Sequence, residues 1–122
     1  MGDRANVYVK DGNSGVYLYT HWTGTKLPGV VQSALRRGES RWNDGQYLAR
    51  VIFNEMTRGD EDGVTGFGIS SVLCDNNHPI IVVDTSTETV GLADEGDEIL
   101  GIVQADWPFA DFVALDTAGL DY

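Results

Sequence analysis

No lysine or arginine follows Arg58, so the last 64 residues of this 122-residue chain hold fourteen carboxylates and no cationic side chain. Cysteine is nearly absent. Cys74 stands alone and cannot close an internal disulfide, so no oxidising compartment is implied and a cytoplasmic protein is expected. Long apolar runs are missing as well, and the opening Met-Gly-Asp-Arg-Ala-Asn lacks the apolar stretch of a secretory signal. No membrane association is therefore expected. Internal repeats and low-complexity linkers are also lacking, so nothing divides residues 1–122 into more than one domain.

What is present is enough apolar material to fold. With 42% hydrophobic residues, three Trp, five Tyr and four Phe, the chain can offset its conformational entropy by burial despite a net charge of −11. That charge is segregated. Residues 1–58 carry eight cations against five carboxylates, a sum of +3, and the remainder sums to −14. So acidic a molecule is repelled by anionic lipid and by nucleic-acid phosphates, and direct nucleic-acid binding is not expected.

Alternation over Asn6 to Lys10 and Val16 to Trp22, around Asp11-Gly12-Asn13-Ser14-Gly15, predicts a β-hairpin. Tyr17 and Tyr19 oppose Val16 and Leu18, so the second strand should be covered on both faces. Leu27, Val30, Val31, Ala34 and Leu35 fall on one helical face, with Pro28 suited to the first turn and Gly38 to the stop. A second helix, capped by Asn43 or Asp44, should run through Tyr47, Leu48, Val51, Ile52 and Met56. Strands are then expected over Phe67 to Leu73, Pro79 to Asp84, Glu88 to Leu92 and Ile99 to Gln104, with Ile80 to Val83 central. A terminal helix from Pro108 should dock Phe109, Phe112 and Val113. The order predicts a single α+β domain: a mainly antiparallel sheet, two helices packed on one face and a short C-terminal helix.

Candidate sites are few. His21 ends a strand in Thr20-His21-Trp22-Thr23, where an imidazole can exchange protons or, when charged, hold an anion. The plainer alternative is that His21 bonds nearby backbone while Trp22 fills the core. Arg41-Trp42 joins a cation to an aromatic face, and with Trp22 and Trp107 these residues are candidates to line a ligand pocket, set against a simple anchoring role for each Trp. Cys74 and His78 lack the spacing of a metal set, and Asp75 beside the thiol opposes its ionisation, so no metal or cofactor is expected. Asp60-Glu61-Asp62 and Asp94-Glu95-Gly96-Asp97-Glu98 fail the calcium-loop pattern and read as solvated acidic loops able to meet a partner. Neither Gly66-Phe67-Gly68 nor Gly24-Thr25-Lys26 completes a nucleotide-binding motif.

Gly2-Asp3-Arg4-Ala5-Asn6-Val7, Val16-Tyr17-Leu18-Tyr19-Thr20-His21-Trp22 and Tyr47-Leu48-Ala49-Arg50-Val51-Ile52-Phe53 together resemble a family of small uncharacterised proteins of bacteria and their phages. That resemblance implies shared Arg4 and His21 neighbourhoods and no catalytic role.

Three functions fit. The first is a non-enzymatic protein whose carboxylates engage a basic surface, as a phage or bacterial inhibitor mimicking nucleic acid would engage a nuclease or another defence component. Asp60, Glu61, Asp62, Asp94, Glu95, Asp97 and Glu98 are its candidate contacts. Next comes a small-molecule or nucleotide module, or an enzyme, centred on His21, Arg4 and Trp22, although no catalytic constellation is visible. Last is an acidic domain of an assembly whose charge serves solubility. Opposed charged faces would also permit head-to-tail self-association.

Overall fold

The computed structural model describes residues 2–120 and Tyr122. They form an α+β domain built on a six-stranded, mostly antiparallel sheet. Strands β1 (Ala5–Asp11) and β2 (Ser14–Thr20) make the expected hairpin. Gly12 and Asn13 are its two-residue turn, and Gly12 takes the positive φ of 65° that such a turn asks of its first position. Helices α1 (Leu27–Arg37) and α2 (Gly45–Met56) follow, then β3 (Phe67–Ser70), β4 (Ile80–Asp84) and β5 (Thr89–Ala93). A short helix α3 (Asp97–Leu100), β6 (Ala105–Pro108) and a one-turn helix α4 (Phe109–Phe112) complete the order. Across the sheet the strands run β3-β2-β1-β4-β5-β6. Only β1 and β4 are parallel neighbours, and both lie in the middle, as the apolar run Ile80–Val83 requires.

The helices meet the sheet through the residues their periodicity selects. Leu27, Val31, Ala34 and Leu35 of α1 and Leu48, Ile52 and Met56 of α2 are buried against Val7, Val9, Leu18, Ile81, Val83 and Val90. Gly38 ends α1 through its N–H bond to the Ala34 carbonyl, and Asp44 accepts the Tyr47 N–H to begin α2. Phe109 and Phe112 are fully buried in the same core, so the tail docks as expected. Gln32 ties it down by donating to the carbonyls of Phe112 and Leu115 at 3.1 and 2.6 Å.

Three expectations change. Strand β3 stops at Ser70, whose hydroxyl takes the Val72 N–H and turns the chain away. Ile99–Gln104 is not a strand. Gly96 and Gly101, at φ 92° and 73°, bracket the single turn of α3, and the next strand begins at Ala105, which pairs with Leu92. Trp22 does not fill the core: it is 50% exposed, with its ring edge on His21 and against Gly66, where a β-carbon would overlap the indole.

Candidate functional site

Two regions gather polar groups. The first is the sheet end where β1 and β4 start and β2 finishes. Asp3 there accepts from the Thr25 N–H at 2.8 Å and pairs with His78 Nε2 at 2.6 Å, while the other His78 ring nitrogen faces the Tyr122 carbonyl at 3.3 Å. The His78 and Tyr122 rings stack at 4.5 Å. These bonds, His78 foremost and Thr25 next, lower the Asp3 carboxyl to about 2. Burial, then the Asp3 charge, pushes the Tyr122 phenol upward. Both ring nitrogens of His78 are engaged, by Asp3 and by the Tyr122 carbonyl, so neither is left for a substrate. The arrangement is a clasp joining the two ends of the chain to the Gly24 turn.

Arg4, His21 and Trp22 surround that clasp. Arg4 exchanges bonds with Asn77, giving its N–H to the side-chain oxygen at 2.9 Å and accepting the Asn77 N–H at 2.8 Å. Among the described residues its buried Nε has no acceptor. Tyr19 reaches His21 Nδ1 at 2.9 Å. Burial raises the Tyr19 phenol, with Arg4 opposing and Asp75 and Cys74 adding to the rise. The phenol thus stays protonated and can donate to or accept from Nδ1 according to the imidazole's tautomer. The Cys74 thiol lies 4.0 Å from the Val72 carbonyl.

Trp42 lies at the opposite end of the sheet, beside Ser86 and Glu88, so the expected pocket joining Arg41 and Trp42 to Trp22 and Trp107 is not assembled. Trp42 anchors the helices by donating to the Leu35 carbonyl at 2.9 Å and meeting Phe109 edge-on at 5.4 Å. Trp107 packs on Phe112, and Arg41 lies 4.5 Å over the ring of Tyr47.

The second region covers the sheet face away from α1 and α2. Tyr8 and Tyr17 are cross-strand partners stacked at 4.6 Å beside Ile80, Val82 and Ala93. Gly15 is required there, because a β-carbon would lie 2.5 Å from the Tyr8 ring. Onto this floor comes Glu98, only 1% exposed, accepting from the Tyr17 hydroxyl and from the Gly96 N–H, each at 2.7 Å. Burial first and the Glu98 carboxylate second push the Tyr17 phenol upward. Glu98 is therefore no partner contact. It is an anchor, which corrects its assignment to a solvated loop.

Pinning Glu98 inward turns its neighbours outward. Ile99, Leu100 and Ile102 stand 64, 70 and 54% exposed, beside exposed Asp94, Glu95 and Asp106 and half-buried Asp97. A cleft of about 200 Å³ adjoins this knuckle, with Lys10, Asp84 and Asp106 in its wall. Asp60, Glu61 and Asp62 are exposed but belong to the loop between α2 and β3.

Charge follows the layers. Residues 26–58, the helical layer, hold six cations against three carboxylates, and the rest of the described chain holds Arg4 and Lys10 against fifteen carboxylates. Among the described residues no group of three or more His, Cys, Asp or Glu is placed to hold a metal ion, and no helix is long and apolar enough to cross a membrane. No protein-family model, curated protein or solved structure matches the chain.

Proposed function

We propose that the chain is a non-enzymatic binding module that docks a basic protein through the α3 knuckle. The observation that carries this reading is the burial of Glu98 to hold Ile99, Leu100 and Ile102 in solvent. Sequestering a carboxylate is costly, and folding alone gains nothing from displaying three large apolar side chains on one loop. An apolar centre inside a charged rim is the anatomy of a recognition surface. Asp94, Glu95, Asp97 and Asp106 make the rim anionic, which steers a cationic partner and rejects nucleic acid. A protein built to hold phosphates fits best, and inhibition of a nuclease or defence component by occupying its phosphate site is the specific form proposed.

The test is retention of basic lysate proteins on the immobilised chain at low and high salt, with nucleic acid as competitor. Ile99→Ser/Leu100→Ser and Asp94→Asn/Glu95→Gln should each abolish capture, and nucleic acid should displace the captured protein. Identical capture by wild type and both variants sinks the reading.

A second reading, a small anion-binding site at Arg4, Tyr19 and His21, is favoured by the buried Arg4 Nε without an acceptor. Thermal stabilisation by phosphate or a carboxylate that is lost in Arg4→Gln and His21→Ala supports it. No stabilisation removes it.

A further inference from the structure

Strand β3 is an unprotected sheet edge. Natural edges are guarded by lysine, proline, bulges or inward charge, and the opposite edge, β6, carries Asp106 and Pro108. Phe67-Gly68-Ile69-Ser70 carries none of these. Ile69 is 61% exposed, and beneath it a groove of about 260 Å³ runs between β3 and α2, with Leu18, Ala49, Arg50 and Phe53 in its wall.

The hydrogen-bond alternation fixes what this edge offers. His21 donates its N–H to the Gly66 carbonyl at 2.8 Å, and the register pairs Tyr19 with Gly68 and Tyr17 with Ser70. Backbone groups of Gly66, Gly68 and Ser70 therefore face β2, and those of Phe67 and Ile69 face outward.

We propose that a second copy of this chain occupies the edge, with the two β3 strands antiparallel about a two-fold axis at Gly68. In that register Phe67 of each copy exchanges both backbone hydrogen bonds with Ile69 of the other, using the very groups left open. An aromatic ring then lies beside a β-branched side chain, a favourable cross-strand pair. The two Gly68 residues meet at the close, non-hydrogen-bonded position, and a β-carbon position there has no atom within 4 Å.

Charge selects the same occupant. Asp60, Glu61 and Asp62 lead into the N-terminal end of β3, while Arg50 lies beside Ile69 and Arg41 stacks on Tyr47 near the start of α2. None of these five makes a salt bridge among the described residues. The two-fold brings each acidic loop to the other copy's C-terminal end of β3, on the side of Arg50 and Arg41. The contact is isologous and closes at two copies. This inference does not depend on the knuckle.

The test is sedimentation velocity across a micromolar-to-millimolar series, combined with amide exchange. Dimerisation should strengthen with concentration and weaken with salt, and the amides of Phe67 and Ile69 should gain protection only as the dimer forms. Ile69→Pro removes an outward N–H without touching the β2 ladder, and the dimer loses two bonds by symmetry, so association should weaken about tenfold or more. Ile69→Lys, which keeps the backbone intact, should do the same. Arg50→Glu should weaken the dimer, and adding Asp60→Lys/Glu61→Lys should restore it. A chain that stays monomeric throughout, a dimer indifferent to both Ile69 variants, or a charge swap without rescue overturns the proposal. Binding of a foreign extended peptide to β3 of a monomeric chain counts against it equally.

Discussion

Replacing Tyr17 by Phe tests the anchor beneath the knuckle at one atom. The ring, its stack on Tyr8 and the volume of the site are kept, and only the hydroxyl 2.7 Å from Glu98 Oε2 is lost. One lobe of a carboxylate 1% exposed is left without a donor. Hydrogen bonds to charged groups contribute about 1.5–3 kcal/mol, and the stranded group is desolvated, so a loss of about 2–3 kcal/mol is expected. For a chain of this length that lowers Tm by roughly 10 °C. Glu98→Gln keeps size, leaves one oxygen to accept the Gly96 N–H and turns the amide's N–H toward the Tyr17 oxygen, and should cost about 1 kcal/mol. The double variant Tyr17→Phe/Glu98→Met removes both side-chain partners and should recover most of the Tyr17→Phe loss, because the carboxylate is gone and the Gly96 N–H it leaves belongs to an exposed residue that water can reach. Urea unfolding of wild type, Tyr17→Phe, Glu98→Met and the double variant gives the cycle, with Glu98→Gln measured beside it. A Tyr17→Phe cost below about 0.5 kcal/mol, or strict additivity in the double variant, refutes the reasoning.

The same contact sets an alkaline limit. The Tyr17 phenol is raised above its ordinary value of 10.0 by burial and by Glu98. A group whose folded pKa is raised contributes stability that is complete below the unfolded value and lost as pH rises toward the folded one. Stability should therefore decline above about pH 10, and Tyr17→Phe should flatten that decline in part, the remainder belonging to Tyr122, which is raised as well.

Asp3 sets the acid limit in the opposite sense. Its folded value is depressed to about 2, so its contribution is complete above the ordinary 3.8 and disappears as pH falls through about 2. Asp3→Asn should cost about 1 kcal/mol at neutral pH, a figure reduced for its partial exposure, and should flatten urea-measured stability over that acid range. Phe112→Ala, at a fully buried ring packed on Trp107, should cost about 3–5 kcal/mol in the same assay. Gly66→Ala forces a β-carbon to 2.2 Å from the Trp22 ring at φ 98°, and should cost 1 kcal/mol or more, read by unfolding and by a changed Trp22 environment in fluorescence. Leu100→Ser should leave stability within about 0.5 kcal/mol while abolishing partner capture, since the side chain is 70% exposed.

Elements with local causes were legible in the sequence. Both long helices, the Asp44 cap, the Gly12 turn, the central β4 and the docking of Phe109 and Phe112 rest on neighbours a few residues apart. Misread features depend on distant partners. Ile99 to Ile102 has the apolar texture of a strand, and only the Tyr17 hydroxyl, 81 positions from Glu98, shows why that carboxylate turns inward and the segment coils. The Asp3–His78 pair spans 75 positions, and no spacing rule announces it. Arg4, His21 and Trp22 were legible as one neighbourhood because each lies at a strand end of the same hairpin. Arg41 and Trp42 were misjoined to Trp22 because periodicity assigns a residue to a face and is silent on which end of the sheet that face occupies.

The charge division along the chain becomes a division between layers because β1 to α2 supply one complete helical cover early, while every later segment adds strands and loops to the sheet. A two-fold perpendicular to the sheet at Gly68 keeps both helical covers on one side and both knuckles on the other. The +3 of residues 26–58 in each copy then stays together, away from the anionic side. Each knuckle is anchored on the Tyr8–Tyr17 floor of β1 and β2, three to five strand spacings from its counterpart, so at about 4.8 Å per strand the two stand roughly 15–25 Å apart. Neither contact obstructs the other, because the edge uses outward backbone of β3 and the knuckle uses the face of the sheet. Pairing thus converts one weak anionic contact into two of the same orientation, and a partner with repeated basic sites gains avidity without any new side-chain contact.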